Sequence, residues 1–316
     1  MIRSDARVIV LVNPSARRAG RHGWVSGVAV LKSRVEVDVY HPESAAAMIE
    51  EARDGVRRGV AAVVVAGGDG SVNCVASALA GSPVQLGLLP LGTGNDFARA
   101  MRVPCSGDDA ARQILEGRIA EVDLAQVNGR YFCTAGVLGV PADAALTVRR
   151  WLSPAAATRP LLHVLGHSCY TLAGLRHLLR PHSLASRYVI EPAPGPGEAA
   201  SPLTLRSPGV FVANTRVLGG GLVLPIAADH ADGQLDIAVI RDISRARLLW
   251  AFVCLARGWR IPDGVLDVVR TAEAVIRCEG RRPFAADGDF MGDGEQFTVR
   301  AVPRALRVIG VGNPRT

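Results

Sequence analysis

The chain has 316 residues, of which 49% are hydrophobic and 21% charged, and its formal net charge is +7. That apolar fraction excludes a disordered polypeptide, which could not offset its ordering entropy, and the length predicts two domains rather than one. The positive balance fits an acidic partner (nucleotide, nucleic acid or an anionic membrane face), or simply an arginine-rich composition.

The six cysteines, at 74, 105, 133, 169, 254 and 278, form no C-x-x-C pair and no zinc-ligand cluster, which predicts a reducing compartment, the cytosol. The first apolar run, 8–12, is too short for a signal-peptide core. The longest uncharged run, 70–95, is broken by Gly, Pro, Ser and Asn and does not read as a spanning helix.

The first third alternates strand and helix. Residues 7–12 read as a strand, a helical stretch follows Gly20, and Val35, Val37 and Val39 alternate as a strand over 34–40. A helical pattern over 43–58 leads to the apolar run 61–66 and to a helix opening after Gly70. Uninterrupted apolar strands belong to parallel sheets covered on both faces, so this part predicts a Rossmann-like open sheet with ligands beyond the strands' C-terminal ends. Asn128-Gly129 marks a tight hairpin and a domain boundary just before it. Beyond lie short strands at 187–190, 209–213, 235–240, 275–278, 296–301 and 306–311, interrupted by helices over 158–180 and 244–257. The fold class is therefore α/β plus β: domains over 1–124 and 125–295, with 296–316 as closing strands returning to the first.

Two glycine-rich turns carry the chemistry. In Gly67-Gly68-Asp69-Gly70-Ser71 the glycines permit a sharp turn and close approach of a ligand, while the following helix aims N–H groups at an anion. Gly92-Thr93-Gly94 repeats the device ahead of Asn95-Asp96, which can cap the next helix. An ordinary turn with a capping Asp is the alternative at each. Neither completes the G-x-G-x-x-G of dinucleotide sites, and the P-loop spacing from Gly87 to Thr93 lacks the lysine.

Residues 67–73, together with Pro90-Leu-Gly-Thr-Gly-Asn-Asp-Phe-Ala-Arg99, resemble the two hallmarks of the diacylglycerol kinase catalytic-domain superfamily, and with a β-rich second half they resemble its soluble bacterial lipid kinases. The resemblance implies that Asn13, Pro14, Ser44, Gly67, Gly68, Asp69, Gly70, Ser71, Asn73, Gly92, Thr93, Gly94, Asn95 and Asp96 hold ATP, with Asp69 helping to organise Mg²⁺ and phosphates. Asp123 matches the acidic position that ends the first domain. Asp229, Asp232 and Gln234 are similar to a loop that holds a structural Mg²⁺ through two carboxylates and a backbone carbonyl; a solvated turn is the alternative. Asp287-Gly288-Asp289 is similar to the D-G-E motif, so Asp287 or Asp289 accepts the acceptor's proton, with Asp293-Gly294-Glu295 as a competing copy. Cys74 for Glu, Thr134 for Asn and Asp289 for Glu depart from the family pattern.

The implied activity is transfer of the γ-phosphoryl group of ATP to the hydroxyl of diacylglycerol, in a cleft between the domains of a cytoplasmic protein that associates peripherally with the membrane. The implied partners are a lipid at the membrane surface and a second copy in a homodimer, with no nucleic acid. A sphingoid base, a soluble metabolite, or loss of catalysis with retained binding are the alternatives. Trp151 beside Arg149-Arg150, Trp259 between Arg257 and Arg260, and Leu161, Leu162, Leu175, Leu178 and Leu179 suit a bilayer interface; the alternative is that most of these leucines are core.

Overall fold

The computed structural model describes residues 6–14, 16, 23–151, 168–179, 184–194, 201–219 and 221–310. The chain forms two compact units, Met1–Leu124 with Pro303–Thr316, and Ala125–Val302.

The first unit is built from β1 (Arg7–Val12), α1 (Gly23–Lys32), β2 (Glu36–Tyr40), α2 (Ala45–Arg57), β3 (Ala62–Gly67), α3 (Asp69–Leu79), β4 (Gln85–Pro90), α4 (Asp96–Ala100), α5 (Gly107–Glu116) and the start of β5 (Arg118–Val127). Strands β2, β1, β3 and β4 lie side by side in that order, all parallel. Val8 to Leu11 and Val63 and Val64 are fully buried, as strands covered on both faces require. Because β1, β3 and β4 are neighbours, the loops leaving their C-terminal ends are brought together.

The final strand, β14 (Asp289–Gly310), comes back to this unit: Arg307 and Val308 pair in parallel with Gln85 and Leu86 of β4. Sequence reading expects two strands here, 296–301 and 306–311, with the return starting at 296. The structure corrects this to one strand. Residues up to Arg300 still pair with β13 (Glu273–Ala286), and between the two expected strands the chain continues through Pro303 and Arg304, the latter at φ +50°. The Arg304 amide donates to Asp123, a carboxylate only 1% exposed, at 2.8 Å.

The second unit adds β6 (Arg130–Phe132), β7 (Ala135–Gly139), α6 (Val140–Trp151), α7 (Ser168–Leu178), β8 (Ser186–Pro192), β9 (Leu203–Ser207), β10 (Gly209–Ala213), β11 (Leu235–Ile240), α8 (Arg245–Arg257) and β12 (Leu266–Thr271). Strands β12, β11, β10, β7, β13 and β14 follow one another, with antiparallel pairings throughout as far as β13–β14, and β13 also carries β8 and β9. One core gathers Phe132, Phe284 and Phe297, with ring centroids 6.2 and 5.3 Å apart. A second lies where Phe211, Leu218, Leu224 and Leu248 meet. Ser244 caps α8 by accepting the Arg247 N–H, and Gly258 ends the helix at φ +69°. Of the helix expected over 158–180, residues 158–167 and 180 lie outside the described residues. No helix among the described residues is long and apolar enough to cross a membrane.

Candidate active site

In the first unit the two glycine turns are locked together. The Leu91 N–H donates to the Gly67 carbonyl at 2.8 Å, and a Cβ on Gly92 would lie 2.6 Å from the Gly68 Cα, so only glycine lets the backbones approach this closely. Asn95 adopts the left-handed conformation at φ 51°, and its side chain bonds both the N–H and the carbonyl of Gly92, at 2.9 and 3.0 Å. Asn13, leaving β1, donates from Nδ2 to Ser71 Oγ at 2.8 Å. Three loops thus share one hydrogen-bonded frame.

Asp69 is the centre of that frame. Its Oδ1 accepts the N–H groups of Asp96 at 2.7 Å and Phe97 at 3.3 Å, so the first residue of α3 serves as the N-terminal cap of α4. Burial pushes its carboxyl above the usual range, and the N–H groups of Phe97, Asp96 and Asn95 partly offset this. Helix α3, by contrast, starts at Gly68 with no side-chain cap. Its opening N–H groups and positive dipole end have the chemistry to hold an anion. Gly67, Gly68, Asp69, Gly70, Ser71, Gly92, Thr93, Gly94, Asn95, Asp96 and Asn13 come together here, with Pro14 beside Asn13 and Asn73 one turn into α3. Ser44 is engaged elsewhere, capping α2 through the Ala47 N–H at 3.1 Å.

In the second unit, Asp287-Gly288 is a two-residue hairpin turn between β13 and β14, both residues at positive φ, with Ala286 paired to Asp289. The Asp287 carboxylate is held by three donors: the Cys133 N–H at 2.6 Å, the Thr134 N–H at 2.9 Å and the Thr134 hydroxyl. Buried Asn214 braces that donor pair, its side chain donating to the Cys133 carbonyl at 2.9 Å and its backbone N–H to that of Thr134. Asp289 is different. It is 43% exposed and lies 3.6 Å from Arg149 Nε at the end of α6. The competing copy is occupied too, since Asp293 pairs with Arg281 at 2.9 Å.

The acidic loop before β11 is tied up by an arginine that sequence reading did not single out. Arg270 donates to Asp236 at 2.9 Å and to the Ala227 carbonyl at 3.0 Å, and stands 3.7 Å from Asp232. Asp229 and Asp232 each accept a backbone N–H two residues on, from Ala231 and Gln234. A hard divalent cation needs an open cage of oxygens, and among the described residues no cluster of three or more ligating side chains forms. Asp229 and Asp232 thus bring two carboxylates to one loop beside the Gln234 backbone, and Arg270 supplies countercharge to Asp232 and Asp236.

The second unit also contains a cavity of about 160 Å³, walled by Val140, Tyr170, Phe211, Leu222 and Phe252 among others and reaching the Asp287-Gly288 turn. Among the described residues that line it, Asp287 is the one charged side chain. The Tyr170 hydroxyl sits at the same turn, 3.3 Å from where a Gly288 Cβ would be.

Comparison with known proteins bears on both units. The diacylglycerol kinase catalytic domain matches residues 7–127, and the YegS C-terminal NAD kinase β-sandwich-like domain matches residues 155–310. A diacylglycerol kinase of Mycobacterium tuberculosis is 34% identical over 260 residues, covering 80% of this chain and 78% of that one. The chain belongs to the diacylglycerol kinase catalytic-domain family. A protein of Pseudomonas aeruginosa named "Probable lipid kinase YegS-like" is 32% identical over 195 residues, covering 61% of this chain and 58% of its own. The crystal structure of a diacylglycerol kinase from Bacillus anthracis superposes with a TM-score of 0.73 over 98% of this chain and 97% of that one, and at 20% identity it speaks for the fold. Membership of the family makes this a lipid kinase, an ATP-using phosphotransferase with an alcohol acceptor.

Proposed function

We propose that the acceptor is diacylglycerol or a similar lipid, that ATP binds with its phosphates on the opening turn of α3, and that Asp287 takes the acceptor's proton. One observation carries this reading: an apolar cavity whose lining includes Asp287 as its one charged residue, with that carboxylate held by Cys133 and Thr134. Such a site buries a hydrocarbon segment and leaves the attached hydroxyl beside a proton acceptor. At about 160 Å³ it is close to the ~150 Å³ that admits a benzene-sized group, so part of one acyl chain fits and two whole tails do not.

In the reaction the hydroxyl oxygen bonds the γ-phosphorus, the bond to the β–γ bridging oxygen breaks, ADP leaves, and the proton passes to Asp287. A magnesium ion bound with ATP would supply charge neutralisation of the transferring group, with Asp69 and the opening turn of α3 beside the phosphates. Thr134 and Cys133 fix the direction of the carboxylate; Asn95 and Asp69 fix the turns under the phosphates. The product is the phosphate monoester, phosphatidic acid for a diacylglycerol acceptor.

Incubation with labelled ATP and a panel of diacylglycerols, sphingoid bases and water-soluble alcohols tests the acceptor; turnover confined to the soluble alcohols or the sphingoid bases overturns the diacylglycerol reading. Asp287→Asn is expected to lower turnover about a thousandfold. If it keeps wild-type turnover, the proton goes elsewhere, with exposed Asp289 the next group to substitute.

A further inference from the structure

Helices α7 and α8 are apolar on two faces. Inward, Gly174 and Leu178 of α7 and Leu248, Ala251 and Phe252 of α8 line the cavity. Outward, Leu172, Leu175 and Leu179 repeat at helical spacing on α7 and its next residue, at 48%, 37% and 62% exposure. Trp250 and Val253 do the same on α8, and Trp259 follows its C-cap at 52%. A helix on a protein surface normally turns a polar face to water. These two contain no Asp or Glu and four arginines: Arg176, Arg245, Arg247 and Arg257. Arg257 lies over the Trp259 ring at 5.6 Å, and the Trp250 and Trp259 rings are 6.2 Å apart. The acids beyond α8 are matched, Asp263 by Arg260 and Asp267 by Arg241. Among the described residues neither Arg176 nor Arg257 forms an ion pair.

We infer that the outer faces of α7 and α8 form a docking surface for an anionic phospholipid bilayer, with Trp250 and Trp259 entering the interface and Arg257 meeting the headgroups. Exposed tryptophan and leucine beside unpaired arginine is the combination that lies in a membrane interface. A second copy of this chain is disfavoured, because a two-fold contact between these faces would bring together helices that carry four arginines and no acid to pair with them. Docking here would put the outer side of the cavity wall on the bilayer, so an acceptor could enter the cavity with little exposure to water. The inference rests on the lipid acceptor proposed above, but its test does not depend on turnover.

The full-length protein is sedimented with vesicles of phosphatidylcholine and phosphatidylglycerol, and with vesicles of phosphatidylcholine alone. Wild type is expected to bind the mixed vesicles, and added salt to weaken that binding. Trp250→Ala with Trp259→Ala should lower the affinity at least tenfold, and Arg257→Ala about fivefold. Both variants should keep the wild-type melting profile and phosphorylate a water-soluble short-chain diacylglycerol within about twofold of wild type. Unchanged vesicle binding in both variants overturns the surface, as does equal loss of short-chain turnover, or a wild-type dimer that the double substitution splits without any vesicle binding. Tryptophan-dependent binding without phosphorylation of any lipid would instead defeat the acceptor reading and leave the docking surface standing.

Discussion

Asp69 and Asp287 are both carboxylates fixed by backbone N–H donors from distant residues, and in each case the donors decide what the acid can do. Asp69 spends one oxygen on the start of α4, so it positions the second glycine turn. Its raised carboxyl gives a pH signature. The folded chain holds the Asp69 proton more tightly than the unfolded chain, so this group's contribution to stability is greatest below the ordinary value of 3.8 and declines as pH rises towards the folded value. Asp69→Asn keeps an oxygen to cap α4 and should lack that decline. The difference in urea unfolding free energy, variant minus wild type, should therefore climb as pH rises above the ordinary value of 3.8; a flat difference would sink the assignment. For Asp287 the telling change is Thr134→Val, which removes the hydroxyl donor and keeps the N–H. It is expected to lower kcat about tenfold, in line with roughly 1.5 kcal/mol for a hydrogen bond to a charged group, with KM for ATP unchanged in steady-state assays.

At the scale of elements, Arg270 on β12 holds the loop before β11 against Asp236, which is 3% exposed. Arg270→Ala should cost about 2–3 kcal/mol in denaturant unfolding, below the figure for a wholly buried pair because the arginine is 41% exposed. The cavity gives a second test. Ala145→Phe on α6 narrows a wall residue's space and should raise KM for a diacylglycerol about tenfold, while ATP affinity, measured by calorimetry, stays put.

These elements also show what could be read from residue order. The bounds of β1, β10 and β11 follow from short, mainly apolar runs, and the Asn128-Gly129 turn from a two-residue signal; both are local patterns. The glycine turns were legible for the same reason. The cradle of Asp287 was not, because Cys133 and Thr134 lie 154 and 153 residues away and nothing in Cys-Thr announces a donor pair. Nor was Arg270, one arginine among many until β11 and β12 set it opposite Asp236. The leucines near α7 divide: Leu178 is core, Leu175 and Leu179 face solvent, and Leu161 and Leu162 lie outside the described residues. Trp151 packs against Val148 and Cys169, whereas Trp259 is exposed.

For the whole molecule, the division of the chain matters most. The first unit is discontinuous, completed by residues that follow the second unit in sequence. A chain ended after Val302 loses the Arg304 amide that satisfies buried Asp123, and also the strand beside β4. A buried carboxylate that has lost a donor and an open sheet edge both work against a folded, monomeric product. Such a chain should melt at lower temperature and fail to bind ATP, read by circular dichroism and calorimetry. A melting profile matching the full chain would show the return strand to be dispensable.

The pairing of Arg307 and Val308 with Gln85 and Leu86 also sets a timetable. During synthesis most residues of the nucleotide-binding unit precede the second unit, yet one flank of its sheet waits until Arg307 and Val308 have been made. Over that interval β4 presents an open edge to whatever the nascent chain meets. Contacts so far apart in sequence close slowly, and the late-arriving strand leaves the sheet of the first unit open to mispairing until the whole second unit has been made.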